Sequence, residues 1–281
     1  MKTKRIRRTK RDMDSLLQSV LNILGEYNER ISIRHLFYRC ANAGLIEKTE
    51  SAYNQLRGHL VKWRRAKVIP YRAFIDGTRW HYGADVFNNL GEYVKHAASA
   101  YRLNLWAESE YYPEVWVEKE AVASMVYGIA CEWNLKVFVA RGDASMSSLA
   151  DAAETFNHHR SKGKIPVILY LGDYDENGLA IPKTIQSNLM RDHDCAVHLI
   201  RVTVNQDHIL EYNLPTRPPK GDRRGESVKY AVDIDTMRPA AIRDLLDAEI
   251  EKLIDHDQLI RLKAIEEMEQ ETLRNTRIAK P

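Results

Sequence analysis

The sequence has few cysteines and no long apolar run. Its 281 residues include only Cys40, Cys131 and Cys195, which lie far apart. Isolated cysteines form neither a disulfide framework nor a zinc knuckle, so we expect reduced thiols and a cytoplasmic protein. No stretch of ~18 apolar residues is present, which argues against a membrane-spanning helix. The basic run MKTKRIRRTKR is not followed by the apolar segment of a secretory signal.

Several common nucleotide-binding and catalytic motifs are also missing. The sequence contains no P-loop, no G-x-G-x-x-G and no H-E-x-x-H. It contains no G-x-S-x-G either. These absences argue against a nucleotide-hydrolysis motor within this chain.

Net charge is small, but the basic residues are clustered. Lysine and arginine total 42 against 39 acidic residues, a formal charge of +3. Local basic clusters on a nearly neutral chain favour a polyanionic partner such as nucleic acid, although solvated surface is the alternative for any one cluster. The clusters are the N-terminal run, then Arg57, Lys62, Arg64, Arg65 and Lys67, and finally Lys220, Arg223 and Arg224.

The first part of the chain predicts three short helices and a turn. After a basic tail at residues 1–11, Asp12 or Asp14 is expected to cap the first helix, Ser32 the second and Thr49 the third. A weakly alternating run at 71–75 and the turn at 76–77 follow. Together they predict a winged helix-turn-helix domain over 12–82, with the basic third helix as its DNA-recognition element.

The rest of the chain predicts an α/β domain. After a connecting segment at 83–110, apolar strands at 115–117, 135–140, 166–171 and 196–204 alternate with helical patterns. Near-continuous apolar strands separated by helices indicate a parallel sheet with both faces covered. We place this domain at 111–235 and a charged, helical segment at 236–281.

Acidic residues follow two of the predicted strands. Glu118 comes directly after the run at 115–117, and Asp173 and Asp175 come after PVILYLG. The carboxyl ends of neighbouring parallel strands meet at one edge, which is where sites form in such sheets. Converging carboxylates repel one another unless a hard cation such as Mg²⁺ neutralises them. A solvated loop with capping aspartates is the alternative.

A tyrosine on the second helix is the other candidate. Tyr38 lies off the apolar stripe of this helix and one turn from Arg34. A phenol has a pKa near 10, and a neighbouring cation favours its ionised form and binds phosphate. An ordinary half-exposed tyrosine is the alternative. Arg141 follows the strand at 135–140 and is a further candidate phosphate contact, or part of a turn.

Three motifs in order resemble one known family. V-E-K-E-A-V at 117–122 resembles the first motif of a Toprim domain, and L-G-D-Y-D-E-N-G at 171–178 resembles its D-x-D-x-x-G motif. R-H-L-F-Y at 34–38 resembles the R-x-[IL]-[FY]-Y tyrosine motif. The combination, over residues 30–240, is similar to the topoisomerase VI A subunit and meiotic double-strand-break transesterase family, above all its minimal, A-subunit-only relatives.

The resemblance implies a function for each motif. Tyr38 would attack a DNA phosphodiester and become linked to the 5′ end, with Arg34 assisting at the phosphate. Glu118, Asp173 and Asp175 would hold Mg²⁺, or Mn²⁺ in its place. In the family the tyrosine of one protomer meets the metal site of the other, so we expect a homodimer on double-stranded DNA and a nucleoid-associated location.

The sequence also departs from the family. The segment at 141–143 lies where the family has a K-G-x-P-D-like loop, and the proline is missing. The ATPase subunit is not in this chain, so strand passage would require a separate GHKL-type B subunit.

Two other functions stay open. A Toprim domain can serve a metal-dependent nuclease that uses water, and such an activity would survive Tyr38→Phe. A winged-helix DNA-binding protein with a non-catalytic Toprim scaffold would keep its DNA binding after Asp173→Asn.

Overall fold

The structure is a computed structural model that describes residues 9–27, 30–74, 83–140, 144–219 and 228–276. Several sequence predictions lie outside these ranges. They are most of the basic tail, the turn at 76–77, Arg141 and the third basic cluster.

Three helices form the N-terminal part, as the sequence predicts. They are α1 (Lys10–Leu24), α2 (Ile33–Asn42) and α3 (Glu50–Arg65), and their apolar faces share one core. Ser32 and Thr49 cap α2 and α3 as expected. The predicted cap of α1 is wrong, because Thr9 occupies that position. Asp12 instead accepts a hydrogen bond from the Thr9 backbone, which completes a reciprocal capping box.

The described part of the weakly alternating run at 71–75 is not a regular strand. Tyr71–Ala73 form a 3₁₀ turn after Pro70, whose carbonyl accepts a hydrogen bond from the Ala73 amide. The turn starts there because proline fixes φ near the value that a tight turn requires. Phe74 makes only an isolated parallel bridge to Ile31.

A four-stranded parallel sheet forms the centre of the second part. Its strands are β1 (Tyr111–Val117), β2 (Val137–Val139), β3 (Ile165–Leu171) and β4 (His198–Thr203), in the order β2-β1-β3-β4. The prediction of a mixed α/β fold with a parallel sheet is therefore confirmed. Val117 pairs with Leu171, so β1 and β3 end at the same level.

Helices cover both faces of the sheet. Alternate residues of a strand point to opposite faces. The helices after α3 are α4 (Leu90–Ala100), α5 (Glu120–Glu132), α6 (Met146–Ser161), α7 (Glu176–His193), α8 (Gln206–Glu211), α9 (Pro239–Glu251) and α10 (His256–Asn275). Val115, Val117, Leu169 and Leu171 pack in the core that includes α5 and α9, whereas Trp116, Ile168 and Tyr170 pack against α6 and α7. In the described ranges, no helix is both long and apolar enough to cross a membrane.

The α2 helix packs against a short 3₁₀ helix, Ile234–Thr236, that lies beside the sheet edge. Arg39 of α2 donates a hydrogen bond to the carbonyl of Met237 at 3.1 Å. His35 of α2 lies 3.5 Å from the buried carboxylate of Asp235. These contacts bring the helix that carries Tyr38 next to the carboxyl ends of β1 and β3.

Candidate functional site

The carboxyl ends of β1 and β3 bring Glu118 and Asp173 together. The Glu118 amide continues the β1–β3 ladder by donating to the carbonyl of Leu171 at 2.9 Å. One Glu118 carboxylate oxygen then accepts a hydrogen bond from the Asp173 amide at 3.0 Å. Sequence reasoning expected these two residues to meet at one edge, and they do so because the strands end in register.

Two glycines make this close approach sterically feasible. A Cβ atom on Gly172 would lie 2.5 Å from a Glu118 carboxylate oxygen. A Cβ atom on Gly178 would overlap the carbonyl oxygen of Asp173 and lie 3.2 Å from Glu118. Gly178 also donates its amide to Asp175, which caps α7. The glycines of the run L-G-D-Y-D-E-N-G are therefore required by packing around the carboxylates.

A half-buried arginine, Arg201, binds the backbone of the same segment. The guanidinium of Arg201, on β4, donates to the carbonyls of Gly178 at 2.7 Å, Gly172 at 3.2 Å and Val204 at 3.1 Å, and also to that of Asp173. No sequence pattern pointed to this residue. Its signal is an arginine between apolar neighbours within β4 (H-L-I-R-V-T).

Basic side chains pair with the carboxylates. The Lys119 ammonium lies 2.8 Å from Asp173, 3.3 Å from Asp235 and 3.4 Å from Asp233. Arg217 lies 3.0 Å from Asp175 and 3.1 Å from Asp233. The sequence analysis assigned no role to Arg217, Asp233 or Asp235. The D-I-D run at 233–235 has the same D-x-D spacing as 173–175, but it does not follow an apolar strand.

The charges at the site shift several pKa values. Burial, with the neighbouring charge of Asp173, raises the pKa of Glu118 to about 7. Burial also raises the pKa of Asp173, although Lys119 opposes this rise. Burial disfavours ionised Asp233 as well, but the charges of Lys119, Lys48 and Arg217 outweigh burial and lower its pKa.

Tyr38 lies beside this cluster. Its hydroxyl accepts a hydrogen bond from Nε of Arg34 at 3.3 Å, so the two residues share a helix face as predicted. Two ammonium groups flank its ring, with Lys48 Nζ 5.3 Å and Lys119 Nζ 6.0 Å from the ring centroid. Because Lys119 also pairs with Asp173, one side chain connects the tyrosine to the carboxylates.

The basic residues of α3 differ in their surroundings. Arg57, Lys62 and Arg65 are exposed and accessible to a polyanion. Arg64 is half-buried, since its Nε donates to the carbonyl of Leu60 at 3.4 Å and its guanidinium lies over Phe74. Three of the four residues predicted to contact DNA on this helix therefore form its open basic face.

The carboxylates have suitable chemistry for a hard divalent cation, because such cations prefer oxygen ligands. In the described part of the chain, however, no three potential ligand side chains are arranged to hold a metal ion. Lys119 and Arg217 pair with Asp173 and Asp175 instead, so an ion would have to displace them.

Comparison of the chain with protein-family models, with curated proteins and with solved structures finds no match. Function is therefore inferred from the residues of the site itself.

Proposed function

We propose that the chain is a DNA-cleaving transesterase of the topoisomerase VI A kind, with Tyr38 as its nucleophile. One observation carries the proposal. The Tyr38–Arg34 pair on α2 lies next to a carboxylate cluster at the carboxyl edge of a parallel sheet, with Lys119 contacting both. A tyrosine nucleophile, a guanidinium for the phosphate and acidic metal ligands are the groups that this reaction requires.

In the proposed reaction, the Tyr38 oxygen forms a bond to phosphorus and the bond from phosphorus to the 3′ oxygen breaks. The phenol loses its proton and the departing 3′ oxygen gains one. Arg34 contacts the phosphate and stabilises its developing negative charge. A Mg²⁺ or Mn²⁺ ion held by Glu118, Asp173 and Asp175 would supply Lewis-acid stabilisation of that charge.

The same proposal gives a role to each of the other parts of the chain. Residues 12–82 act as a winged-helix DNA-binding domain, with the exposed basic face of α3 on the DNA backbone. Residues 111–235 act as a Toprim domain. Two chains form a homodimer on double-stranded DNA in the nucleoid, and each chain cuts one strand. A separate GHKL-type subunit supplies ATP-driven gating. Arg141, outside the described residues, is proposed as a further phosphate contact.

One observation favours a second candidate, hydrolysis by water. A carboxyl with a pKa of about 7 is suited to act as a general base at neutral pH, and Glu118 has such a pKa. In this reaction water would attack the phosphodiester and Tyr38 would be dispensable. The products would carry free ends.

Cleavage of supercoiled plasmid separates the two candidates. The protein is incubated with Mg²⁺ or Mn²⁺ and the reaction is stopped with detergent, with and without protease. Transesterification predicts nicked or linear DNA that carries protein on its 5′ ends and is absent with Tyr38→Phe. Free ends, produced equally by Tyr38→Phe, would support the hydrolytic nuclease. DNA binding without cleavage, unchanged in Asp173→Asn, would support a non-catalytic binder.

A further inference from the structure

Three basic side chains pair with a single carboxylate beside Tyr38. Lys48 Nζ lies 2.5 Å from one oxygen of Asp233, while Lys119 and Arg217 lie 3.4 and 3.1 Å from the other. Lys48 precedes α3 and Asp233 precedes the 3₁₀ helix, so the pair joins segments 185 positions apart. Asp233 thus fixes the position of Lys48 relative to the tyrosine.

Asp233 occupies only one of the three hydrogen-bond donors of the Lys48 ammonium. Lys119 and Arg217 already pair with that carboxylate, and their side chains are only 27% and 26% exposed. Lys48 is 46% exposed, which leaves its ammonium accessible from solvent. Its remaining N–H donors are therefore available to a second anion at the open side of the site.

Lys48 and Arg34 lie around the same aromatic ring. Lys48 Nζ is 5.3 Å and Arg34 Cζ is 5.8 Å from the Tyr38 ring centroid, and Arg34 also donates to the Tyr38 hydroxyl. Among the described residues, Arg34 forms no ion pair with a carboxylate; its other close contact is the Tyr53 ring. Two cations with unused hydrogen-bond donors therefore flank one phenol ring.

We propose that Lys48 is a phosphate-binding residue that, together with Arg34, holds one phosphate group of a nucleic-acid strand at the Tyr38 hydroxyl. Asp233 is a positioning residue that acts through Lys48. This inference rests on the proposed function, which supplies the nucleic acid as the source of the phosphate. Charge-assisted contacts of ammonium and guanidinium groups to phosphate oxygens are strong and form at about 2.7–2.9 Å, within the reach of both flexible side chains.

The test is the salt dependence of binding to a fluorescent duplex oligonucleotide, measured by anisotropy for the full chain. Lys48→Gln should weaken binding about tenfold, as expected for loss of a charged contact. It should also reduce the slope of log affinity against log salt by about 1, because one phosphate contact is lost. Lys48→Arg should restore most of the binding affinity and most of the salt slope. Lys95→Gln, an exposed lysine on α4, is the matched control and should bind like wild type.

A purely structural role of Lys48 gives a different result. If Lys48 only links the N-terminal helices to the sheet edge, Lys48→Gln lowers the melting temperature and leaves the salt slope unchanged, which overturns the inference. If wild type binds the duplex and Lys48→Gln leaves the salt slope unchanged, this inference is refuted but the proposed function is not. A wild-type protein that binds no DNA refutes the proposed function as well.

A competition experiment tests whether the ligand of Lys48 is a nucleic-acid strand or free phosphate. Inorganic phosphate and chloride are compared at equal ionic strength as competitors of the duplex. Equal competition by the two supports the strand as the ligand. Stronger competition by phosphate, lost in Lys48→Gln, would assign the site to free phosphate and overturn the assignment to nucleic acid.

Discussion

The backbone of Gly178 lies so close to the carbonyl oxygen of Asp173 that no side chain fits between them. Asp173 belongs to the loop after β3, and Gly178 belongs to the first turn of α7. The contact therefore fixes the start of α7 at Asp175 relative to the site. A substitution at Gly178 tests directly how tightly this segment is packed.

Gly178→Ala should lower the free energy of unfolding by about 3 kcal/mol, because the added methyl group meets rigid backbone. Urea denaturation measures this change. The matched control is Gly58→Ala in the interior of α3, where nothing lies within 4 Å of the new Cβ atom. That variant should be about 0.5–1 kcal/mol more stable than wild type, since alanine is the better helix former. Equal stability of Gly178→Ala and wild type would contradict the packing described here.

The carbonyls held by Arg201 provide a second test. Arg201→Met leaves the carbonyls of Gly172, Asp173 and Gly178 without their guanidinium donor, so we expect a loss of about 3 kcal/mol in unfolding free energy. Amide hydrogen exchange should accelerate in the segment 172–178. Arg191→Met removes an exposed arginine whose partner is the adjacent Asp192, and it should change stability by less than about 0.5 kcal/mol. Unchanged exchange in Arg201→Met would show that the loop does not need this arginine.

The lowered pKa of Asp233 predicts a pH-dependent stability difference. The ionised form of Asp233 is favoured in the folded protein, so it stabilises the fold above the unfolded aspartate pKa of about 3.9. That stabilisation is lost as the pH falls through the lower folded-state pKa. Asp233→Asn should therefore be less stable than wild type at pH 7, and the difference should shrink below about pH 4. Urea denaturation midpoints of the two proteins at a series of pH values measure this difference. A stability difference that stays constant down to pH 3 would exclude the ion pairs assigned to Asp233.

Mixing two inactive variants tests the proposed dimer. If the tyrosine of one protomer acts with the carboxylates of the other, Tyr38→Phe and Asp173→Asn chains should together form heterodimers with one complete site. The mixture should nick plasmid although each variant alone does not, and chelation with EDTA should abolish the nicking while leaving DNA binding intact. A mixture that remains inactive alongside active wild type would mean that Tyr38 acts with the carboxylates of its own chain, beside whose Lys119 it lies.

Local patterns predicted the parts of the fold that local interactions determine. The apolar run before Gly172 forms the buried strand β3, and Ser32 and Thr49 cap helices because their side chains reach the next turn. The weakly alternating run after Pro70 begins as a 3₁₀ turn, because proline fixes φ near the value that a tight turn requires.

The site was predictable where spacing along the chain places its residues, that is, at the strand ends and at Arg34 and Tyr38 one helical turn apart. Glu118 and Asp173 each come directly after an apolar run, so sheet topology alone brings them together. Lys48 and Asp233 meet through packing between segments 185 positions apart, and no spacing within the sequence encodes such a contact. The role of Arg201 could not be predicted for the same reason, since it depends on carbonyls from other segments of the chain.

Identification of the residue bonded to DNA tests the central claim most directly. The protein is reacted with a radiolabelled duplex and Mg²⁺ or Mn²⁺, trapped with detergent and digested with protease and nuclease, and the modified peptide is sequenced by mass spectrometry. We predict a nucleotide linked through its 5′ phosphate to Tyr38, one of 14 tyrosines in the chain. DNA cut without any protein adduct, or an adduct on a different tyrosine, would contradict the assignment of Tyr38 as the nucleophile.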